Sequence, residues 1–189
     1  MDSTETAAAW KRAFGDAVPL GHVCRRMIAE RWVRIHSLPE SKRYPEDEDD
    51  FRELLSRHNA VATAVLGEGE RFVLFDARFG DDTVSWDLPG IEPTAFAEVP
   101  QLAYRSNEDT EGLLTRFAAV ETTWRRSAFD DLMRAVAVCR TRAFFANLRL
   151  GTAYAPYDGG ADVFVSSPEA VGPSRSAWRR WLSFREDGL

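Results

Sequence analysis

Two hydrophobic periods alternate along this chain. Between residues 51 and 66, apolar side chains recur every three to four positions, which predicts an amphipathic helix ending near Gly67. The five acidic residues 46–50 just before it would lie at the positive end of the helix dipole. A second helix is predicted over residues 4–14, where Trp10 and Phe14 share a face and Gly15 follows.

Most of the remaining apolar segments are short and follow one another without intervening helices. This order favours antiparallel pairing, and it predicts an α+β fold with a mainly antiparallel sheet and helices packed on one face. The turn residues 158–161 predict a tight hairpin, because glycine tolerates positive φ. The predicted strands are 32–35, 71–75, 83–86 after a turn at 80–82, 102–104, 116–123, 142–148, 152–157 and 162–165.

Three further helices complete the predicted elements. A short helix precedes the strand at 32–35, and Ser127 is expected to cap a helix that runs through Val136. Residues 168–189 form a C-terminal helical segment, with a helix at 177–182 whose two tryptophans, Trp178 and Trp181, are core or docking residues. Without a break in composition, residues 1–189 are expected to form one domain in which residues 1–15 are a docking helix.

Composition narrows the class of protein. The chain has 189 residues, 44% of them hydrophobic, and no apolar run long enough to cross a bilayer or to serve as a secretory signal, so we expect a cytoplasmic protein without a membrane partner. Its net charge of −6 argues against binding extended nucleic acid. The two cysteines, Cys24 and Cys139, are far apart and are expected to be reduced thiols in the core.

The segment 34–46 contains many acidic, basic and hydroxyl side chains, and two prolines, Pro39 and Pro45, restrict its backbone. His36 is interpreted either as a general base or anion ligand beside Arg34, or as a histidine bonded to the loop backbone. The other side chains suit a phosphate or carboxylate, or they pair with one another in a solvated turn. The candidate ligand-binding residues here are Arg34, His36, Ser41, Lys42, Arg43 and Tyr44.

A second polar cluster lies at the predicted hairpin. Tyr157 is a candidate ligand-binding residue, and Asp158 and Asp162 are candidates for base or metal chemistry, unless they bond only their own turn. No glycine-rich phosphate loop, Gly-x-Ser-x-Gly elbow or zinc-ligand spacing is present, so no cofactor and no structural metal are predicted. His58 falls on an apolar helix stripe, which predicts a buried, hydrogen-bonded histidine.

Three blocks of the chain together resemble a bacterial family of unknown function whose members share an Arg-Ile-His-Ser-Leu-Pro-x-Ser-Lys-Arg-Tyr-Pro segment. Here that segment is residues 34–45, the Tyr-Asp-Gly-Gly-Ala-Asp hairpin is 157–162, and the C-terminal Trp-Leu-Ser is 181–183. The layout of the last block is also similar to a broader bacterial group of uncharacterised α+β domains. The resemblance implies no activity.

Two hypotheses of function follow. The first is a non-catalytic binding protein of the immunity or accessory kind, whose protein partner would contact a surface of acids and aromatics. The second is an enzyme or small-molecule binder that holds an anionic ligand between the 34–44 loop and the 157–162 hairpin. There Arg34, Lys42 and Arg43 would bind the anion, His36 would transfer a proton, and Asp158 or Asp162 would orient His36 or a metal. The second hypothesis predicts that loop and hairpin meet at a concave pocket.

Overall fold

A computed structural model describes residues 1–80, 86–105 and 114–183 of the chain. The helices predicted over residues 4–14 and 51–66 are both confirmed. Each begins after a polar N-cap residue and is followed by a glycine at positive φ. The helices in the described ranges are α1 (Ser3–Phe14), α2 (Gly21–Met27), α3 (Glu48–Leu66), α4 (Asp130–Ala137) and α5 (Val171–Ala177).

The acidic run before α3 has a defined structural role. Asp47 is the N-cap residue, and its carboxylate accepts a hydrogen bond from the Asp50 backbone N–H at 2.9 Å. Glu48, Asp49 and Asp50 occupy the first turn, where their charge complements the helix dipole as predicted.

The described strands are β1 (Trp32–His36), β2 (Arg71–Phe79), β3 (Ala97–Glu98), β4 (Tyr104–Arg105), β5 (Leu114–Thr123), β6 (Phe144–Asn147), β7 (Thr152–Tyr157) and β8 (Gly160–Phe164). They form a single antiparallel sheet in the order β1-β8-β7-β6-β2-β5-β3, with β4 paired to β5. This arrangement confirms the α+β class and the antiparallel pairing. The predicted tight hairpin joins β7 to β8.

Helices cover both faces of this sheet, so the prediction of helices on one face was wrong. The reason is visible in β2, where residues 72–75 are all apolar and both faces of the strand must therefore be buried. Phe72 and Leu74 pack in the core beneath α3 and α4. Val73 and Phe75 pack in a second core with Trp10 of α1 and the residues of α2.

Ser127 is not the cap of α4. Its backbone has φ 65°, its N–H donates to Asn59 Oδ1 at 2.8 Å, and the N-cap residue of the helix is Phe129. This bond to helix α3 is made by the backbone of residue 127 and therefore does not depend on the serine hydroxyl. The predicted turn at 80–82 and strand at 83–86 fall largely on residues 81–85, which lie outside the described residues.

The C-terminal helix also differs from the prediction. Helix α5 ends at Ala177, and the chain then continues in turns, so no helix spans residues 177–182. The core role of the tryptophans is confirmed, because Trp178 is buried and Trp181 packs against the same core. None of the helices in the described ranges is long and apolar enough to span a membrane.

The two cysteines have different environments. Both are free thiols, and Cys24 is fully buried as predicted. Cys139 is exposed, so its assignment to the core was wrong. It follows α4 in a left-handed conformation with φ 58° and lies between the exposed residues Val138 and Arg140.

Candidate functional site

The polar loop and the hairpin meet in space. Strand β1 pairs with β8 so that Arg34 lies opposite Asp162 and His36 lies opposite Gly160. Just beyond the strand, the Ser37 backbone N–H donates to the Gly159 carbonyl at 3.1 Å. Two segments more than a hundred residues apart are therefore joined edge to edge.

Gly160 permits this close approach. A Cβ atom at this position would lie 2.0 Å from the Ile35 carbonyl oxygen and 3.0 Å from the Tyr157 hydroxyl. Its φ is not positive, and neither is that of Gly159, so the conformational reason expected from the sequence does not apply. The hairpin needs glycine at 160 because β1 occupies the space of a side chain.

Arg34 is held rigidly. Its Nε and Nη2 donate to Asp162 Oδ1 at 2.9 Å each, and Trp32 Nε1 donates to the same oxygen at 2.8 Å. The guanidinium carbon lies 5.2 Å from the ring centroid of Trp32 and 5.1 Å from that of Tyr157. Two aromatic rings and one carboxylate therefore fix the plane of the cation.

Arg43 reaches the hairpin from the loop. Its Nε donates to Asp158 Oδ2 at 2.7 Å, and the Tyr44 hydroxyl and the Cys139 thiol also donate to this carboxylate, the thiol at 3.6 Å. Partial burial acts to raise the pKa of Asp158, but hydrogen bonds from Arg43 and Tyr44 outweigh it and lower the pKa below its ordinary value. Asp158 is therefore ionised at neutral pH.

A concave pocket of about 780 Å³ opens where these elements meet, on the face of the sheet that α2 covers. Of the residues predicted from the sequence, the lining includes Arg34, Arg43, Tyr157, Asp158 and Asp162. Further lining residues come from α2, from β2, from β4 and from the chain after α4. Those that bring a charge, an imidazole, a thiol or an aromatic ring are His22, Arg25, Phe79, Tyr104, Cys139 and Arg142.

Three predicted residues of the loop lie outside the pocket lining. Lys42 donates from Nζ to Glu46 at 3.0 Å and to Asp50 at 2.6 Å, so it ties the loop to the start of α3. Ser41 is exposed, and it follows Glu40 in a left-handed conformation with φ 59°. Tyr44 is exposed as well; its hydroxyl bonds Asp158, and the Arg43 guanidinium lies 5.4 Å from the centroid of its ring.

His36 is not on the lining either. Its side chain is half-buried, and burial together with the charges of Arg34 and Arg57 lowers its pKa. Within the described residues its Nε2 has no hydrogen-bond partner, and the contact from Arg57 Nη1 goes to its backbone carbonyl. The structure does not bring His36 to Asp158 or Asp162, whose carboxylates bond arginines.

His58 confirms the prediction of a buried, hydrogen-bonded histidine. Its Nε2 lies 2.7 Å from Ser37 Oγ, and its Nδ1 lies 2.5 Å from the Tyr154 hydroxyl. Burial lowers the pKa of His58 to about 3, so the ring is neutral and one nitrogen donates while the other accepts. Ser37, at the start of the loop, is therefore joined through His58 to α3 and β7. Arg34 before it in the chain and Arg43 after it both line the pocket.

Sequence reasoning missed two arginines of the pocket. The Arg25 guanidinium lies 5.7 Å from the Trp32 ring centroid, and that of Arg142 lies 4.8 Å from the Phe79 ring centroid. Neither makes an ion pair with a carboxylate in the described part of the chain. Nothing in the sequence distinguished these two residues from the other arginines of the chain.

Across residues 1–80, 86–105 and 114–183, no three histidine, cysteine or acidic side chains are grouped as a metal would require.

The fold and the pocket together define an α+β protein with an arginine-lined cavity on one face of an antiparallel sheet. Over residues 20–186 the chain matches the domain of unknown function DUF3885, and it belongs to that family. This agrees with the family without assigned function that the sequence motifs indicated. No curated protein matches the chain, and no solved structure matches it.

Proposed function

We propose that this protein binds a small anionic ligand in the pocket between α2, the loop after β1 and the β7–β8 hairpin. The supporting observation is the charge of the lining. Four arginines and two aspartates line the cavity, so positive groups exceed negative ones by two in a chain whose net charge is −6. A local positive cavity in an acidic protein selects small anions, because the surrounding charge repels extended polyanions.

The four pocket arginines differ in whether a carboxylate neutralises their charge. Arg34 and Arg43 are neutralised by Asp162 and Asp158, whereas Arg25 and Arg142 have no carboxylate partner in the described ranges. Arg34 still has unused donors, because its Nη1 makes no hydrogen bond within the described part of the chain. Aromatic stacking orients its guanidinium before any ligand arrives, which lowers the entropy lost on binding.

Tyr157 adds a neutral donor. Burial raises the pKa of its phenol to about 12, so the hydroxyl keeps its proton at neutral pH and can donate to an anion. Together with the guanidinium groups it gives the pocket donors of two kinds. Carboxylate and phosphate oxygens accept from both.

Binding without chemistry is better supported than catalysis. A proton-transferring group must reach the ligand, and His36 lies outside the lining. Asp158 and Asp162 do line the pocket, but each carboxylate is occupied by an arginine, and the hydrogen bonds from Arg43 and Tyr44 lower the pKa of Asp158 and make it a weaker base. His22 of α2 also lines the pocket, and the proposal concerns binding and assigns no catalytic role to it.

The proposal is tested by titrating the protein calorimetrically with phosphate monoesters and small carboxylates. We expect Arg25→Ala to weaken binding by about tenfold or more, because a hydrogen bond to a charged group contributes about 1.5–3 kcal/mol. Arg52→Ala is the matched control. It removes the same charge from an exposed pair with Asp49, away from this pocket, and should change affinity less than about twofold. If neither anion class binds, or if both variants bind equally, the proposal is wrong.

A second proposal is a protein partner of the immunity or accessory kind. It is supported by the surface beside α3, where Tyr44 is 49% exposed next to the exposed acidic residues 46–49. An aromatic ring among acids would suit a basic partner surface. We expect a partner captured by the wild type to be lost with Tyr44→Ser and kept with Leu150→Ala, which alters an exposed apolar residue elsewhere. Equal capture by both variants would refute it.

A further inference from the structure

We infer that the anionic ligand also carries a flat aromatic or heteroaromatic group, which packs against Phe79 and Tyr104 at the end of the pocket away from Arg34. This inference rests on the proposed anion binding and names the class of ligand. It follows from where the sheet places the lining residues.

The register of the strands separates two regions of the lining. At one side, Arg34 of β1 lies opposite Asp162 of β8. At the other side, Phe79 of β2 lies opposite Thr115 of β5, which in turn lies opposite Tyr104 of β4. Four strand spacings separate β1 from β2 in the sheet order, which corresponds to about 19 Å. A ligand that contacts both regions must be elongated.

The floor between them is apolar. Phe75 of β2 pairs with Phe144 of β6, and both line the pocket. Ala155 of β7 lies opposite Asp162 and continues this floor toward the charged side. The lining therefore changes from arginine and aspartate at β1 and β8 to hydrocarbon at β6 and β2.

Phe79 is the ring that a ligand would cover. Its side chain is 48% exposed although it lines the cavity, and the Arg142 guanidinium lies over it at 4.8 Å. An arginine stacked on an aromatic ring forms a flat surface on which another ring can stack. Covering that exposed apolar area would add a favourable term that an inorganic anion cannot provide.

The volume agrees with such a ligand. At about 780 Å³ the cavity lies in the range of sites for drug-sized molecules, roughly 300–1,000 Å³. A phosphate or acetate ion alone would contact only one side. A nucleoside monophosphate, or an aromatic ring joined to a phosphate or carboxylate through a spacer of similar length, combines a charged end and a distant ring in one molecule.

Matched ligand pairs test the inference. Calorimetry would compare ribose 5-phosphate with adenosine 5′-monophosphate, and ribonate with adenosine 5′-carboxylate, so that either anion chemistry is sampled with an elongated ligand. We expect the aryl member of at least one pair, the one that carries adenine, to bind about tenfold tighter, a difference of about 1.4 kcal/mol, because its ring stacks on Phe79. Phe79→Ala should remove this advantage and leave the affinity for the small anion unchanged, and Phe79→Tyr should preserve it. Leu150→Ala, an exposed apolar change outside the lining, is the control.

The outcomes separate the two proposals. If aryl and small anions bind equally and Arg25→Ala weakens both, anion binding stands and the inference about a flat group is wrong. If the aryl advantage survives Phe79→Ala in a variant with the wild-type melting temperature, the assignment to Phe79 is wrong. If no anion of either pair binds, the proposed function and the inference fail together.

Discussion

Arg34 and Asp162 face each other across β1 and β8 and form an ion pair at 2.9 Å in which both side chains are largely buried. The pair lies in the wall of the pocket, and the same carboxylate oxygen also accepts from Trp32 Nε1. One carboxylate thus fixes the edge strand, the aromatic ring and the pocket cation together.

Asp162→Asn is expected to lower the free energy of unfolding by about 3 kcal/mol, because it leaves the Arg34 charge enclosed without its counter-charge. Urea denaturation at neutral pH measures the change. Asp49→Asn is the control, since that residue pairs with Arg52 at the surface and should contribute less than about 0.5 kcal/mol. A loss no larger than that of the control would mean that Arg34 does not depend on Asp162.

Stability should fall in mild acid because of His58. Burial lowers its pKa in the folded protein from 6.5 to about 3, so the unfolded chain binds a proton that the folded protein excludes. The free energy of unfolding therefore decreases as pH falls from 6.5 toward 3, with His58 contributing about 2 kcal/mol between pH 7 and 5.

Urea titrations of the wild type and His58→Gln at both pH values would isolate this contribution, since the variant retains every other titrating group. The decrease should be about 2 kcal/mol smaller in the variant. The imidazole chemical shifts of the wild type give an independent check if the variant folds poorly. A His58 ring that protonates near pH 6 in the folded protein would contradict the prediction.

Gly160→Ala should destabilise the protein by about 3 kcal/mol or prevent folding, because the added carbon would overlap the Ile35 carbonyl oxygen and force β1 away from β8. Gly159→Ala is the matched control one residue away. Its added carbon would meet only ordinary contacts, at 3.4 Å from Tyr157 and 3.5 Å from Arg43. Thermal melts of both variants measure the difference, and equal melting temperatures would refute the close approach.

Thiol labelling should distinguish the two cysteines. In the native protein we expect a maleimide to modify Cys139, which is exposed, and not Cys24, which is fully buried. Burial also raises the pKa of Cys24 to about 12, so almost no thiolate is present there at neutral pH. Mass spectrometry should find one modification in the native state and two after denaturation. Native labelling that persists in Cys139→Ser would contradict this placement.

Cys139 also reports on the pocket. It is part of the lining, so a bound ligand should slow its modification, while the rate for denatured protein stays unchanged. An anion that binds calorimetrically without protecting Cys139 would place the binding site elsewhere.

Helix α3 could be predicted from the sequence because the residues that define it are close together in the chain. A 3–4 residue spacing, a polar cap and a terminal glycine are all contained in residues 47–67, and the acids before it act on its first turn. Ser127 shows where local reading failed. Its hydroxyl suited a helix cap, but its backbone has φ 65° and its N–H donates to Asn59 of α3, a contact that exists only once α3 and α4 have packed.

Periodicity, turn residues and side-chain chemistry are properties of neighbouring positions, so the α+β class, the succession of antiparallel strands and the two polar clusters at 34–46 and 157–162 follow from the sequence alone. Which of those polar residues share a cavity follows only from the three-dimensional packing. Strand register places Arg34 against Asp162, packing on both faces of the sheet brings Arg25 and Arg142 to the same pocket, and burial joins His58 to Ser37. These contacts depend on distances between residues far apart in the chain, which no local pattern specifies.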